Sequence, residues 1–327
     1  MIYKENSIKL GKLEVPHRVF LSPMADITDI PFRRQVRKFG CGMMYTEMVY
    51  STSVLYSGEV NMRKRKILDE ERPMGIQLVG TDAVEMGIAA KIAYEEDGAS
   101  LIDINMGCPS KKINKNLSGA GLMRDLDKAS DIISSVIEAV EIPISVKMRL
   151  GWDDDNLNAL ELCKIAEKLG ASNVTIHGRT RNQGYRGDSN WDAIGDIASK
   201  VNIPVIGNGD ITSIEKAVES IKSGKVDGIM VGRGSLGRPW FIDQIIHYIE
   251  KGEVKPDPSE TEKREVILSH FIDMLDYYGE TRGIKLFRKH LCWYASGYRN
   301  GKKLKLEANI CEDKNRIIEL IKDFWNK

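Results

Sequence analysis

Three polar side chains, Cys108, Lys147 and His177, stand where short apolar runs end, and each could carry chemistry. Lys147 stands near the end of the run 144–148, within Ser-Val-Lys-Met-Arg-Leu. A lysine in the alternating pattern of a barrel strand points into the barrel mouth, where it needs an anionic partner. It could be the Schiff-base amine of an aldolase. It could equally be a cation beside the N1/O2 edge of a flavin, stabilising the reduced anion. His177 ends the run in Thr-Ile-His-Gly-Arg-Thr and would sit beside it. Cys108 follows Asn105-Met-Gly. An ordinary thiol, with a pKa of about 8.5, is mostly protonated near neutrality. Cys108 can therefore act as a general acid, and becomes a nucleophile only where its pKa is lowered. The other cysteines, Cys41, Cys163, Cys292 and Cys311, precede a strand or fall in helical patterns and read as structural.

A second cluster is suited to phosphate. Gly232-Arg-Gly-Ser-Leu-Gly237 matches the spacing of a dinucleotide loop, yet it follows the last strand pattern and leads into helices. A Rossmann loop opens the first βαβ unit instead, so that reading is rejected. Backbone N–H groups after the seventh and eighth strands of a barrel form a recurrent phosphate site. Asn208-Gly209-Asp210 and Gly232-Arg233 fall there, with Arg233 as the fixed charge.

The elements that must position these groups recur about every 30 residues. Apolar runs at 19–21, 43–48, 74–79, 101–105, 144–148, 173–177, 205–208 and 228–231 alternate with helical patterns. Asp82 with Glu85, Asn158 with Glu161 and Thr212 with Glu215 read as capping boxes. Eight such units predict a closed (β/α)8 TIM barrel. Odd strands follow Pro16, Pro73, Pro143 and Pro204; even strands follow Gly40, Gly98, Gly170 and Gly224. Gln77, Lys147 and Asn208 stand four residues after three of those prolines. Glu47, Asn105 and His177 stand seven after three of those glycines. Polar residues thus fall at one depth near the C-terminal ends of the strands, the face where barrel active sites form. The longest gap, 108–121, is rich in Gly, Asn and Lys and reads as a lid bearing Lys111 and Lys112.

Beyond Trp240 the strand pattern stops, and helical patterns follow at 260–278, 281–297 and 309–325. Residues 282–305 hold eight Lys/Arg and no acid, among Phe287, Trp293, Tyr294 and Tyr298. Ile284, Phe287, Leu291 and Tyr294 share one helical face; Arg282, Lys285 and Lys289 lie on the adjoining polar one. The whole chain of 327 residues carries a formal charge of only +1, so any nucleic-acid contact must be local. Five cysteines without a CxxC pair predict no zinc site and no disulfide framework, and favour a reducing, cytoplasmic compartment. No leader-like or membrane-length apolar run is present, so no membrane association is expected.

Five ordered motifs carry a resemblance. Leu21-Ser-Pro-Met-Ala, Asn105-Met-Gly-Cys-Pro-Ser-Lys-Lys, His177-Gly-Arg-Thr-Arg-Asn-Gln-Gly-Tyr, Asn208-Gly-Asp-Ile and Gly232-Arg-Gly-Ser-Leu-Gly-Arg-Pro-Trp resemble the tRNA-dihydrouridine synthases, the bacterial B type above all. The motifs span about residues 18–241, and the helical tail fits too. Ser22 departs from the family, where alanine is commoner. The resemblance implies a barrel that binds FMN over residues 1–242 and a helical tRNA-binding domain over 243–327, in a monomer without metal. It implies NAD(P)H as reductant and a D-loop uridine of tRNA as substrate. Pro23, Met24 and Ala25 would meet the isoalloxazine through backbone, with Gln77, Lys147 and His177 also at the flavin. Asn208, Gly209, Asp210, Gly232 and Arg233 would hold the phosphate. Asn105 and His177 would lie near the target uracil, and Cys108 would be the proton donor. Reducing the uracil C5=C6 bond takes a hydride at C6, from flavin N5, and a proton at C5, from a neutral thiol. A base within folded RNA must be extruded to reach such a pocket. Lys111, Lys112, Arg282, Lys285 and Lys289 are the expected RNA contacts. A barrel flavoenzyme acting on a free pyrimidine-like molecule is the alternative; it leaves the basic helical tail unexplained.

Overall fold

A computed structural model describes residues 2–56, 59–114 and 117–326. Two strands form an antiparallel hairpin, β1 (Ile8–Leu10) and β2 (Leu13–Val15), turning at Gly11 with φ +58°. The barrel strands are β3 (Val19–Leu21), β4 (Met44–Tyr45), β5 (Val49–Tyr50), β6 (Met74–Val79), β7 (Leu101–Met106), β8 (Ile144–Arg149), β9 (Asn173–His177), β10 (Val205–Asn208) and β11 (Gly228–Val231). They run parallel in the order β3-β11-β10-β9-β8-β7-β6-β4, with β5 also on β6, and a bridge from Phe20 to Met43 closes the ring. The chain is a (β/α)8 barrel followed by a helical region.

Alternation decides which side chains reach the lumen. Ile102, Ile104, Val146 and Met148 face outward into the apolar layer under the helices. Leu101, Asp103, Asn105, Ser145 and Lys147 alternate with them. The register sets Gln77 opposite Asp103, Asn105 opposite Lys147, and His177 opposite both Arg149 and Asn208. The expected polar residues are therefore staggered in the ladder, although all lie near the C-terminal ends of the strands. The floor of the lumen is apolar: Ile8, Leu10 and Val15 of the hairpin pack on Phe20, Tyr45 and Ile206. The hairpin is not among the expected elements, although Ile-Lys-Leu-Gly-Lys-Leu-Glu-Val alternates around a glycine as a hairpin should.

Several expected boundaries shift. The run 43–48 keeps only Met44–Tyr45 as β4; Thr46, Glu47 and Met48 leave the ladder, and β5 follows just beyond it at Val49–Tyr50. Asp82 caps its helix, accepting from Glu85 N at 2.9 Å. Asn158 does not; its Nδ2 donates to the Met123 carbonyl instead. Ser213 rather than Thr212 caps the helix Ile214–Gly224. The expected division at 242/243 falls inside the helix Phe241–Lys251. Phe241, Ile242, Ile245 and Ile249 of that helix belong to the barrel's apolar layer, so the linker is 253–259. Among the described residues the tail holds four helices, Glu260–Tyr278, Glu280–Tyr294, Gly301–Ile310 and Lys314–Phe324. The third lies mostly in 298–308, where no helical pattern is expected, and Asp313 caps the last one inside the expected segment 309–325.

The tail has its own core, with Phe271, Phe287, Leu291 and Trp325 fully buried and Trp240 reaching in from the barrel. It is bolted to the barrel helix Ile30–Arg37. Arg34 Nη1 and Gln35 Nε2 donate to Asp273 at 2.8 and 2.6 Å, and Tyr278 Oη donates to Asp29 at 3.0 Å. No helix among the described residues is long and apolar enough to cross a membrane.

Candidate active site

A cavity of about 410 Å³ opens at the C-terminal ends of the strands. Pro23, Met24 and Ala25 line one wall, Asn208, Gly209, Asp210, Gly232 and Arg233 another. Gln77, Asn105, Cys108, Lys147 and His177 line it too. Glu47, the sixth member of the register, turns away: its Oε1 accepts from Asp26 N and lies 3.5 Å from Lys64 Nζ.

Beneath the cavity a polar chain runs between β6 and β7. Gln77 Nε2 donates to Asp103 Oδ2 at 2.6 Å, and Asn105 Nδ2 donates to Gln77 Oε1 at 2.8 Å. Asn105 Oδ1 then accepts from the backbone N–H groups of Gly107 and Cys108, at 3.1 and 3.0 Å. On the other side Lys147 Nζ donates to Asn208 Oδ1 at 3.2 Å, and Asn208 Nδ2 donates to the Met230 carbonyl. Asp103 is the nearby carboxyl that acts on Lys147 electrostatically, without a direct ion pair; burial pushes it up to about 6, against the hydrogen bonds from Gln77 and Ser145 and the charge of Lys147. Burial likewise brings the Lys147 ammonium down to about 8. His177 is buried beside Arg149, Lys147, Arg179 and Arg233; burial and these cations hold it well below the usual imidazole range, so it is neutral. Burial raises the Cys108 thiol above its ordinary value, more than Arg149 and Lys147 lower it. The thiol is a proton carrier at neutral pH.

Arg149 and Tyr185 line the cavity and escape the sequence reading. Arg149 Nε donates to the Gly107 carbonyl at 2.8 Å and Nη1 to those of Thr180 and Gly184, tying the Cys108 loop to the loop after β9. Its signal is present: it follows Lys147 by two residues, on the same strand face. Arg233 lies 4.8 Å over the Tyr185 ring and 3.5 Å from Asp210. Asp210 accepts from Arg179 through both oxygens, at 3.0 and 2.6 Å, so its carboxylate is neutralised.

The glycine motif divides by task. A Cβ on Gly232 would meet nothing closer than 3.6 Å, leaving that backbone open to the cavity. Gly237, at φ +72°, lies so close to the Trp293 carbonyl that a Cβ would fall 2.3 Å from it. The last glycine therefore seats the helical tail on the barrel.

The expected RNA contacts lie apart from the cavity. Lys111 and Lys112 are exposed on the short helix Lys111–Asn114; the neighbouring loop residues 115 and 116 lie outside the described residues. The thiol end of that loop is latched, with Ala120 N donating to the Cys108 carbonyl at 3.2 Å. Arg282 stacks on Tyr278 at 5.2 Å, and Lys285 lies 3.9 Å from Glu312. Lys289 donates to the Asp26 carbonyl, beside Met24 and Ala25. Three of the four aromatics among them pack into the tail rather than forming base platforms: Phe287 and Tyr294 are buried, and Tyr298 packs on Phe324 and Trp325, whereas Trp293 is half-buried against His290.

Fold and site together define a barrel enzyme with its chemistry at the C-terminal mouth. The chain belongs to the dihydrouridine synthase family, whose sequence model, described as Dihydrouridine synthase (Dus), matches residues 20–326; it is a family of flavin-dependent oxidoreductases. A probable tRNA-dihydrouridine synthase of Rickettsia bellii is 41% identical, over 97% of this chain and 98% of that protein. The tRNA-dihydrouridine synthase B of Pseudomonas putida is 38% identical, over 98% and 95%. Among solved structures, a histamine dehydrogenase from Rhizobium matches with TM-score 0.58 at 16% identity, over 81% of this chain and 50% of that one. An old yellow enzyme homologue of Zymomonas mobilis matches with TM-score 0.54 at 13% identity, over 78% and 95%. These two share the barrel fold. Family membership displaces the Schiff-base reading of Lys147.

Proposed function

We propose that the protein reduces the C5=C6 bond of uridines in tRNA to 5,6-dihydrouridine, with FMN as cofactor and NAD(P)H as reductant, in the cytoplasm. The observation that carries this reading is the neutral Cys108 thiol, latched by Asn105 at a mouth that also presents Lys147 and His177. The mouth suits FMN. The buried His177 Nδ1 has no partner among the described residues, and Gly232 leaves backbone open where a phosphate would sit. Lys147 and Gln77 would hold the pyrimidine edge, Pro23 to Ala25 the ring through backbone. Asn208, Gly209, Gly232, Arg233 and the Asp210 backbone would hold the phosphate. When bound, the flavin supplies the hydride.

The chain's own part is acid catalysis and positioning. Cys108 Sγ holds a proton at neutral pH and gives it to C5. Asn105 fixes the Cys108 backbone. Arg149 fixes the loop from the other side and, with Tyr185, walls the mouth. The neutral His177 can accept or donate one hydrogen bond to a uracil oxygen or nitrogen.

Purified protein should show flavin absorbance and, with NADPH, form dihydrouridine in tRNA transcribed without modifications. A colourless protein, or equal turnover of free uridine and tRNA, would overturn the reading. Arg233→Ala should weaken FMN binding by about tenfold, the value of one charge-assisted contact. Flavin titration of the apoprotein checks it, and an unchanged affinity would take Arg233 out of the phosphate site.

The basic face of the tail gives a separate test. Replacing Arg282, Lys285 and Lys289 together by Ala should reduce the magnitude of the salt slope of tRNA binding by roughly 0.7–0.9 for each phosphate no longer neutralised. Because Lys289 also holds the loop beside Met24 and Ala25, the single Lys289→Ala variant separates that anchoring from phosphate binding. An unchanged slope in the triple variant would send the RNA contacts to Lys111 and Lys112.

A further inference from the structure

The polar chain beneath Cys108 has a direction, and a residue outside the cavity lining sets it. Asp103 is fully buried, with Gln77 and Asn105 nearly so. An ionised carboxylate only accepts hydrogen bonds. Gln77 must therefore turn its NH2 toward Asp103, which leaves its oxygen for Asn105. Asn105 must spend its NH2 on that oxygen, which leaves its own oxygen for the N–H groups of Gly107 and Cys108. Those two groups can only donate. The relay thus has an obligatory acceptor at one end and obligatory donors at the other. Neither amide between them can turn over without setting donor against donor or acceptor against acceptor.

We propose that Asp103 is the positioning residue for the proton donor: through Gln77 and Asn105, its carboxylate latches the Cys108 backbone at the mouth. The importance of that latch for turnover rests on Cys108 being the acid, as proposed above; the latch itself does not. A carboxylate that merely filled the lumen or balanced Lys147 would have no influence on the Gly107 and Cys108 amides, which it reaches only through Gln77 on the neighbouring strand and Asn105.

Asp103→Asn keeps the shape and removes the obligatory acceptor. The neutral amide at 103 can face Gln77 with either its oxygen or its NH2, so the charged acceptor that holds the Gln77 NH2 is lost and only the Gly107 and Cys108 N–H groups still orient Asn105. Hydrogen exchange at the Gly107 and Cys108 amides should quicken by about tenfold or more. Alkylation of Cys108 by iodoacetamide should change with it, and kcat on tRNA should fall with little change in KM. Gln77→Met cuts the relay midway with Asp103 intact and should quicken the same two amides, which keeps the test open if Asp103→Asn folds poorly.

The decisive variant reverses the relay. Asp103→Asn combined with Asn105→Asp moves the obligatory acceptor to position 105. There it accepts from both backbone donors and from an inverted Gln77, whose oxygen then accepts from the amide at position 103. Every hydrogen bond is remade at unchanged net charge, so slow exchange at Gly107 and Cys108 should return. Wild-type exchange in both Asp103→Asn and Gln77→Met, or a double variant no slower than Asp103→Asn alone, would overturn the proposal. Exchange and alkylation need no turnover, so they judge the latch even if Cys108→Ala stays active and the acid assignment falls.

Discussion

Cys108→Ala is expected to slow uracil reduction by about 10²–10⁴-fold, the range for a lost general acid, while flavin binding and its reduction by NAD(P)H survive. The separation follows from the site. Cys108 is tied to the Asn105 and Arg149 side of the mouth, whereas the cation and phosphate contacts come from Lys147, Asn208 and Arg233. The pH dependence has a definite sign. A general acid works while protonated, and burial raises the Cys108 thiol above its ordinary value. The oxidative half-reaction should stay level through neutrality and fall only on the alkaline side, beyond the range of a free thiol. The alanine variant should lack that fall, since it has no thiol to lose a proton. Rapid mixing of pre-reduced enzyme with tRNA reads this step alone. Near-normal dihydrouridine formation in the variant would remove Cys108 from the mechanism.

What the sequence makes legible divides along physical lines. The barrel is readable because β-branched runs punctuated by proline and glycine are local signals, repeated eight times. The place of the polar residues near the strand ends is readable because proline and glycine offsets count residues along each strand; only Glu47 leaves the set, since β4 breaks before it. Asp103 is invisible as a functional group: an aspartate inside Leu-Ile-Asp-Ile-Asn shows its partners only when β6 lies beside β7 in register. Arg149 is missed because the apolar run stops at Met148, one residue before the strand does. The tail is the least legible. Eight bases without an acid look like a free cationic face in sequence. In space Lys285 and Arg288 lie at 3.9 and 3.8 Å from Glu312, an acid seven residues beyond that basic stretch, and Lys289 is spent on a barrel carbonyl.

Lys147→Met is expected to weaken flavin binding by about 10–150-fold, corresponding to one charged hydrogen bond of about 1.5–3 kcal/mol. If the same energy favours the reduced anion over the oxidised form, the two-electron potential should fall by about 30–60 mV. Arg233→Ala, acting on the phosphate, should leave the potential nearly unchanged. A common shift in both variants would mean that the two cations do not divide their work. The wild type carries its own control. Burial lowers the Lys147 ammonium to about 8 against the opposing pull of Asp103, so it is charged below that pH and neutral above it. Its support for the reduced flavin is therefore present at neutral pH and lost as pH rises through about 8. A break in the slope of potential against pH should appear there in the wild type and vanish in Lys147→Met. Removing the ammonium also withdraws the charge that lowers Asp103, so that carboxyl should rise further and take up a proton nearer neutrality. A protonated Asp103 can donate as well as accept, so its end of the relay no longer fixes Gln77 and the hold on Asn105 weakens. Lys147→Met should then loosen the Gly107 and Cys108 amides mainly at the acidic end of the range, whereas Asp103→Asn loosens them at every pH.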